Sequence, residues 1–480
     1  MPAGQAGGPL HGGGAGSEPY WKEDMQNINR EHPEYVARTA MWKRYKDLYA
    51  GGERLRESAS AYLVRRHKEP NDVYGERLGR VFYENYIGSV IDWYAATLMR
   101  REPMVLFEGN DAAAKDFYSL LTDDCDLKGT NLHEFFRRQF IQTLVCGSSY
   151  VVVDFPRASG RASTRAEEDA SGRSRAFLVD YGAEEVINWN YDSNGALEWA
   201  VIRTSCLRQS KVTDAKWERE TRWIYYDRER FQVFRKGNES SEIELVDEGQ
   251  HGLAAERRVP MFRMEVSEGL WLMNKAALVQ LEHFNKSNAL GWALTMGLFA
   301  SPVVYSEREF SQVVGESYYI QLGPEDRFGW TEPEGKVYQI AADNLLALKD
   351  EIYRVCYAMA QAGGSAAGSR QQSALSKQLD FSITEEVLRA YGDMVKDAMK
   401  QVLWAIAAAR RDEIAIDVSG LDDFDIQDFG TELDDAKKLL GLGIGSETLT
   451  KQIFKRLAFK YLCDARQEVK NQVAEEIDRA

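Results

Sequence analysis

One stretch limits the fold more than any other: residues 343–411 read as helix, small-residue break, longer helix. Leu345, Leu348, Ile352, Val355 and Met359 recur at three- and four-residue steps, which places them on one face of a helix. Asp343 stands where an N-cap is expected, its carboxylate able to accept from the first free backbone amides. Residues 362–373 then contain no aromatic and no branched aliphatic side chain. Such a segment buries too little apolar surface to offset the entropy of ordering it. Beyond it, Leu375, Leu379, Ile383, Val387, Met394, Met399 and Leu403 carry a second helix towards Trp404 and Ala409. A small-residue loop between two strong helices presents polar backbone to a partner, or it is an ordinary interhelical linker.

A chain of 480 residues exceeds one ordinary core, and about two to four modules are expected. Hydrophobic content of 44% with charged content of 28% describes a soluble globular protein. No apolar run approaches the roughly 20 residues that span a bilayer, so no membrane partner is expected. The opening residues Met1-Pro-Ala-Gly-Gln-Ala-Gly-Gly lack the basic-plus-apolar pattern of a secretory signal. Cys125, Cys146, Cys206, Cys356 and Cys463 are odd in number, scattered and never spaced as CxxC, which fits a reducing compartment without structural zinc. A net charge of −15 argues against a protein that grips nucleic acid over its whole surface. It does suit a wall past which a polyanion slides.

Taken in order, residues 1–34 open with a Gly/Ala-rich run and read as a disordered N-terminus. A helix over Tyr35–Tyr49 stops at Gly51-Gly52. The charged run Arg65–Asn71 reads as a solvated loop, with phosphate contact as the alternative. Leu78, Val81, Phe82, Ile87, Val90, Ile91, Tyr94 and Leu98 predict one continuous helix from Glu76 to Arg101, ended by Glu102-Pro103, with Asn85 and Asp92 as capping or bridging residues. Another helix spans Asn131–Cys146 and stops at Gly147 before a buried strand, Ser149–Asp154. Residues 157–175 are polar with alternating charge, a loop or a short exposed helix. The period then becomes that of strands. Glu185–Asn190 and Leu197–Arg203 flank an Asn-Gly turn, Trp223–Tyr226 and Phe231–Phe234 form a second hairpin, and Ile243–Val246 with Val259–Phe262 close the β module. Helix returns over Trp271–Ala300. Short strands are expected near Tyr318–Leu322 and Val337–Ile340. After Arg411, strands at Ile414–Val418 and Phe424–Phe429 precede three short helices starting near Glu432, Ser446 and Phe459.

Catalytic motifs fail on spacing. Gly329 to Val337 has one residue too many for a phosphate loop, and Val337 stands where Ser or Thr must hold magnesium. A calcium loop begun at Asp425 would need Gln427, Phe429 and Ala436 as ligands. Gly441-Leu-Gly-Ile-Gly445 lacks dinucleotide-turn spacing and follows a helix. His133-Glu134 and Glu282-His283 have no second histidine at helical spacing. Gly364-Ser365 falls short of a nucleophile elbow, because position 367 is Ala. With 6 histidines in the chain, acid–base catalysis has few candidates. No catalytic residue, metal ligand or cofactor is predicted, and the chain reads as a non-enzyme.

The order of these pieces resembles the portal proteins of tailed bacteriophages, over roughly Tyr35 to Ala480. The carriers are Asn85-Tyr-Ile-Gly-Ser-Val-Ile-Asp-Trp-Tyr94 with Arg101-Glu-Pro103, then Leu144-Val-Cys-Gly-Ser-Ser-Tyr-Val-Val-Val-Asp154, then Glu185-Val-Ile-Asn-Trp189 before a hairpin. Leu281-Glu-His-Phe-Asn-Lys-Ser-Asn-Ala289, the break at Gly363–Ser373 and Gly443-Ile-Gly-Ser-Glu-Thr448 follow in the family's order. The resemblance implies an α+β portal fold with a mainly helical wing, stem and crown and a β-rich clip. Its parts would be wing at 35–156, a linker or short stem helix at 157–175, clip at 176–265, and stem helix with more wing at 266–342. Helix, tunnel loop (362–376) and long helix would fill 343–411, and the crown 412–480. The implied protein is a homo-oligomeric ring, typically a dodecamer, at one capsid vertex of the virion, assembled in the host cytoplasm. Double-stranded DNA would be packaged and ejected through it without sequence readout. The terminase large subunit, major capsid and scaffolding proteins and a head–tail adaptor would be its partners. Channel contact falls to the tunnel loop through Gly363, Gly364, Ser365, Gly368, Ser369, Arg370, Gln371, Gln372 and Lys377, although this loop lacks a bulky residue at its tip. Two rival readings are another neck or head-completion protein, and a magnesium-dependent nucleotidyl- or phosphoryl-transferase built on Asp422–Asp428.

Overall fold

Short polar side chains set the helix starts. In the computed structural model, Asn85, Asp111 and Asn131 each accept a hydrogen bond from the backbone N–H three residues on, at 2.9, 3.0 and 2.7 Å. The structure describes residues 27–109, 111–156, 172, 174–209, 217–236, 243–297, 301–307, 322–331, 335–358, 374–421, 429–462, 465 and 467–479. They form a mixed α+β protein of several separate sheets. The chain divides into two compact units, Met1–Arg38 with Glu184–Pro260 and Thr39–Ala183 with Met261–Ala480.

The first helices are α1 (Pro33–Ala50), α2 (Gly52–Glu57), α3 (Asn71–Gly79) and α4 (Tyr86–Leu98). Strand β1 (Met104–Glu108), α5 (Ala112–Asp123), α6 (Leu132–Cys146), β2 (Ser148–Asp154) and β3 (Phe177–Gly182) follow. Gly147 ends α6 in the left-handed region, at φ 87°, with the Trp271 ring 3.0 Å from where a Cβ would sit. The expected continuous helix from Glu76 to Arg101 is two helices with an extended link between them. Its apolar stripe is real, but Phe82 lies in the link and is 46% exposed.

In the smaller unit, β4 (Val186–Tyr191), β5 (Leu197–Arg208), β6 (Glu218–Tyr226), β7 (Arg230–Lys236) and β8 (Glu244–Gln250) make an antiparallel sheet in sequence order. The predicted first turn holds: the Asp192 carboxylate accepts from the N–H groups of Asn194 and Ala196 at 2.8 and 2.9 Å, and Gly195 takes φ 78°. Residues 27–32, expected to be disordered, instead pack on this sheet. His32 stacks on Trp189 at 4.2 Å, and Asn29 accepts from the indole of Trp223 at 3.0 Å. The two tryptophans provide the apolar surface that the N-terminal sequence lacks.

In the larger unit, β9 (Met261–Glu265) joins β2 and β3 in the order β3-β2-β9. Strands at both edges of 176–265, Phe177–Gly182 and Met261–Glu265, thus pair with β2 and not with the five-stranded sheet, because β2, buried up to Val153, needs a neighbour on each side. Helix α7 (Leu272–Gly297) leads to a hairpin of β10 (Ser301–Tyr305) and β11 (Arg327–Thr331), then to α8 (Gly335–Val355) and the 37-residue α9 (Ala374–Arg410). Val337–Ile340, expected as strand, lies in the first turns of α8. Asp343 is inside that helix, accepting from Gln339 at 2.8 Å, and caps nothing. The periodic stripe began later than the helix itself, so its first polar residue was mistaken for a start. Strand β12 (Ala415–Ser419) pairs antiparallel with β1. Helices α10 (Phe429–Gly441), α11 (Glu447–Tyr461) and α12 (Gln467–Arg479) end the chain. Phe459 is a buried residue of α11, so the last helix starts eight residues later than expected, at Gln467. The strand expected at Phe424–Phe429 lies outside the described residues except for Phe429, which opens α10, as does the one at Tyr318–Leu322 except for Leu322.

The C-terminal helices are tied into the larger unit. Phe459 and Ala474 cluster with Leu106 of β1, and Lys115 of α5 meets Glu475 at 2.6 Å. A chain ending after Arg411 would lose β12 and leave the β1 edge unpaired, whereas one ending after Leu421 keeps it. We expect the chain ending after Leu421 to retain a cooperative thermal transition and the one ending after Arg411 to aggregate, as followed by circular dichroism and light scattering. Gly392 of α9 lies against the Leu421 carbonyl, which a Cβ would meet at 2.2 Å. Gly392→Ala should therefore destabilise the protein by about 1–3 kcal/mol in chemical denaturation, despite alanine's better helix propensity.

Candidate functional site

Of the nine residues expected to touch a channel, Gly363, Gly364, Ser365, Gly368, Ser369, Arg370, Gln371 and Gln372 lie outside the described residues. Lys377 falls in the first turn of α9, within its described backbone. The described structure does contain the point from which the chain enters this segment. Helix α8 closes with Cys356 N–H on Ile352 at 3.2 Å and Ala358 N–H reaching back to Tyr353 at 2.9 Å. The residue that turns the chain is Tyr357, at φ 57°. A glycine is usual there, since a Cβ makes the left-handed region costly by roughly 1–2 kcal/mol.

Several elements hold Tyr357 in that conformation. Thr384 of α9 donates its hydroxyl to the Tyr357 carbonyl at 2.6 Å. Tyr94 of α4 donates to the Cys356 carbonyl at 2.8 Å, with the Tyr357 carbonyl at 3.2 Å. The Tyr357 hydroxyl accepts from Lys275 of α7 at 2.5 Å and approaches the Gly269 carbonyl at 3.3 Å, and the Lys275 ammonium lies 4.4 Å from the ring centre. Tyr391, one helical face along α9 from Thr384, donates to the Leu270 carbonyl at 2.6 Å and meets Tyr94 edge-on at 5.6 Å. Strain of this kind persists only where surrounding contacts over-determine it. Three helices and the 268–271 turn do so here.

The hub is dry. Tyr94 and Tyr391 are fully buried, and burial raises both phenolic pKa values well above the ordinary range. The Cys356 thiol is pushed up to about 12 by burial and is therefore a poor nucleophile. What this arrangement can do is mechanical. It fixes the exit of α8 and the body of α9. Among the described residues, no group of three His, Cys, Asp or Glu side chains is placed to hold a metal ion. Sequence periodicity missed the hub because its tyrosines read as ordinary members of apolar faces. The sole signal was the recurrence of tyrosine at 353, 357 and 391 among aliphatic neighbours.

Elsewhere, Asn85 and Asp92 do what was expected of them. Asn85 caps α4 and donates to the Tyr49 carbonyl at 2.8 Å, and Asp92 accepts from the Tyr49 hydroxyl at 2.6 Å. The Arg65–Asn71 run is folded on itself through the buried Arg77–Glu69 pair at 2.8 Å, with Arg65 on the Glu69 carbonyl and Asn71.

Tyr94→Phe and Tyr391→Phe should each cost about 1–2 kcal/mol, since each leaves a buried carbonyl short of its donor. The hub also sets an alkaline limit. An unfolded chain releases these phenolic protons near pH 10, whereas the folded chain keeps them. The folded state then binds more protons, so stability falls as pH rises above about 10. Denaturant midpoints across that range, read beside the tyrosinate absorbance, should show the loss, and Tyr391→Phe should reduce its slope.

No protein-family model matches this chain, and no curated protein matches it. Solved structures do. The chain is similar to a chain from the neck of an empty GTA particle computed with C6 symmetry, at TM-score 0.44 and 12% identity, covering 80% of this chain and 93% of that one. It is also similar to one from the neck of a native GTA particle computed with C12 symmetry, at TM-score 0.40 and 13% identity over 82% and 94%. A third likeness is to a chain in the virion of a native gene transfer agent (GTA) particle, at TM-score 0.39 and 13% identity over 82% and 95%. TM-scores this low do not assign a function.

Proposed function

We propose that this chain is a portal subunit: a ring-forming structural protein of a phage-like virion, through whose centre DNA is packaged and ejected. The observation that carries the reading is the hub at Tyr357. A glycine- and serine-rich segment is expected of a channel constriction, and here its entry point is clamped by α4, α7 and α9 at once. A segment held at its base can change its own backbone without moving the rest. Glycine suits that task because it has no Cβ to restrict φ as phosphates pass in shifting register. The family motifs support the reading from the sequence side, and the acidic balance of the chain suits passage without retention.

In this reading Gly363, Gly364, Ser365, Gly368 and Ser369 give the channel its compliance. Arg370 and Lys377 supply scattered cations, and Gln371 and Gln372 supply uncharged hydrogen-bonders. The subunit number, expected near twelve from the family, the capsid vertex, and the terminase, capsid, scaffolding and adaptor contacts all belong to the proposal. The hydrolysis that drives packaging would be the terminase's.

Negative-stain images of purified protein should show rings of on the order of ten or more subunits. A small dimer under every condition, with no ring on capsid assembly, would sink the reading. In a packaging assay with assembled proheads, replacing Gly363 and Gly364 by Pro should block DNA uptake while rings still form. Arg370→Glu should slow translocation, with the defect shrinking as salt screens it. Full packaging by both variants places 363–377 outside the channel.

A further inference from the structure

A groove in the larger unit has no part in the portal reading. It is a cavity of about 540 Å³ between the β1–β12 pair and the helices α10 and α11. Its floor is apolar: Leu98, Met104, Leu106, Ile453 and Phe459, with Leu439 and Leu449 at the mouth, 40% and 37% exposed. A volume of this size holds one or two bulky side chains of a bound segment.

The rim has the opposite charge balance to the chain. The protein as a whole carries 75 acidic against 60 basic side chains. Around the groove the cations are Arg100, Arg101, Lys455, Arg456 and Lys470. Among the described residues that line the groove, the acids are Glu102 and Asp417. Lys455 is already paired with Asp478 at 2.8 Å, and Lys470 lies 3.5 Å from Glu102. Arg100 and Arg456 are exposed and have no ion-pair partner among the described residues. Two uncommitted guanidiniums beside an apolar slot favour a ligand that brings carboxylates and a bulky apolar side chain together. Nucleic acid fits poorly, because a phosphate backbone has nothing to bury on a floor of leucine, isoleucine and phenylalanine.

We propose that this groove docks an acidic peptide segment of a partner protein, its carboxylates on Arg100 and Arg456 and its apolar anchor between Leu439, Ile453 and Phe459. The lining residues lie within 97–106 and 417–470 and include none of those assigned to the channel, so the site does not depend on the portal reading.

The test uses the full chain as purified and a fluorescein-labelled acidic peptide carrying one Trp and one Leu four residues apart. Fluorescence anisotropy should show saturable binding that weakens with salt. A peptide with Gln and Asn in place of its acids, and one with Ala in place of Trp, should each bind about tenfold more weakly or worse. The double variant Arg100→Glu with Arg456→Glu should lose binding to a similar extent. So should Leu439→Gln, whose side chain is exposed enough that the fold survives, as an unchanged melting curve would show. Equal binding of the neutral peptide, no saturable binding, or indifference to these variants would overturn the proposal. So would duplex DNA displacing the peptide from these residues. If the charge reversal instead dissociates an oligomer in sedimentation while no peptide binds, the groove is a contact between copies of this chain and the proposal fails.

Discussion

Backbone groups freed at a helix break must find partners, and in this protein the side-chain amides of α7 supply them. The link between α3 and α4 is held this way. Asn288 accepts from the Phe82 N–H at 3.1 Å and donates to the Phe82 carbonyl at 2.9 Å. Gln280 donates to the Glu84 carbonyl at 2.8 Å and accepts from the Ile87 N–H at 3.2 Å. Asn285 does the same for the segment before α3, meeting the Val64 N–H and the Tyr62 carbonyl. A buried backbone group left without a partner costs about 1–3 kcal/mol, so this face of α7 determines where the chain can leave the helix. The pieces that pack on α7 owe their register to it.

The same helix reaches the Tyr357 hub. Its first turn carries Lys275, which holds the Tyr357 hydroxyl, and just before it the Trp271 indole donates to the Val145 carbonyl at 3.1 Å while covering Gly147. Helix α7 therefore links the break at 80–85, the α6–β2 corner and the exit of α8 into one rigid frame. His283 lies within that frame, buried, with Glu84 at 3.4 Å and Tyr86 edge-on at 5.0 Å, and burial lowers its pKa.

Charge is distributed unevenly over this frame. Isolated exposed pairs such as Arg38–Glu34 contribute little, whereas the enclosed Arg410–Asp412 pair, set against Phe117 at 3.7 Å, helps define the end of α9. Among the described residues that line the groove beside β1, cations outnumber acids.

Local signals in the sequence determined much of this. Alternation located the hairpins at 186–208 and 218–236, three- and four-residue steps located α6 and α9, and Asn131 and Gly147 marked ends by capping chemistry that needs only near neighbours. The empty composition of 362–373 likewise announced a segment between two helices. Other features were decided by contacts distant in sequence. The split of Glu76–Arg101 depends on Asn288 and Gln280, some two hundred residues away, and no periodicity can register a side chain that replaces a backbone hydrogen bond. Val337–Ile340 became helix because α8 starts before its apolar stripe, and Met261–Glu265 pairs with β2 because a buried strand recruits neighbours on both sides. The hub at Tyr357 exists only where α4, α7 and α9 meet. Its left-handed tyrosine is tolerable because tertiary hydrogen bonds outweigh the local cost, and only the folded chain contains those bonds.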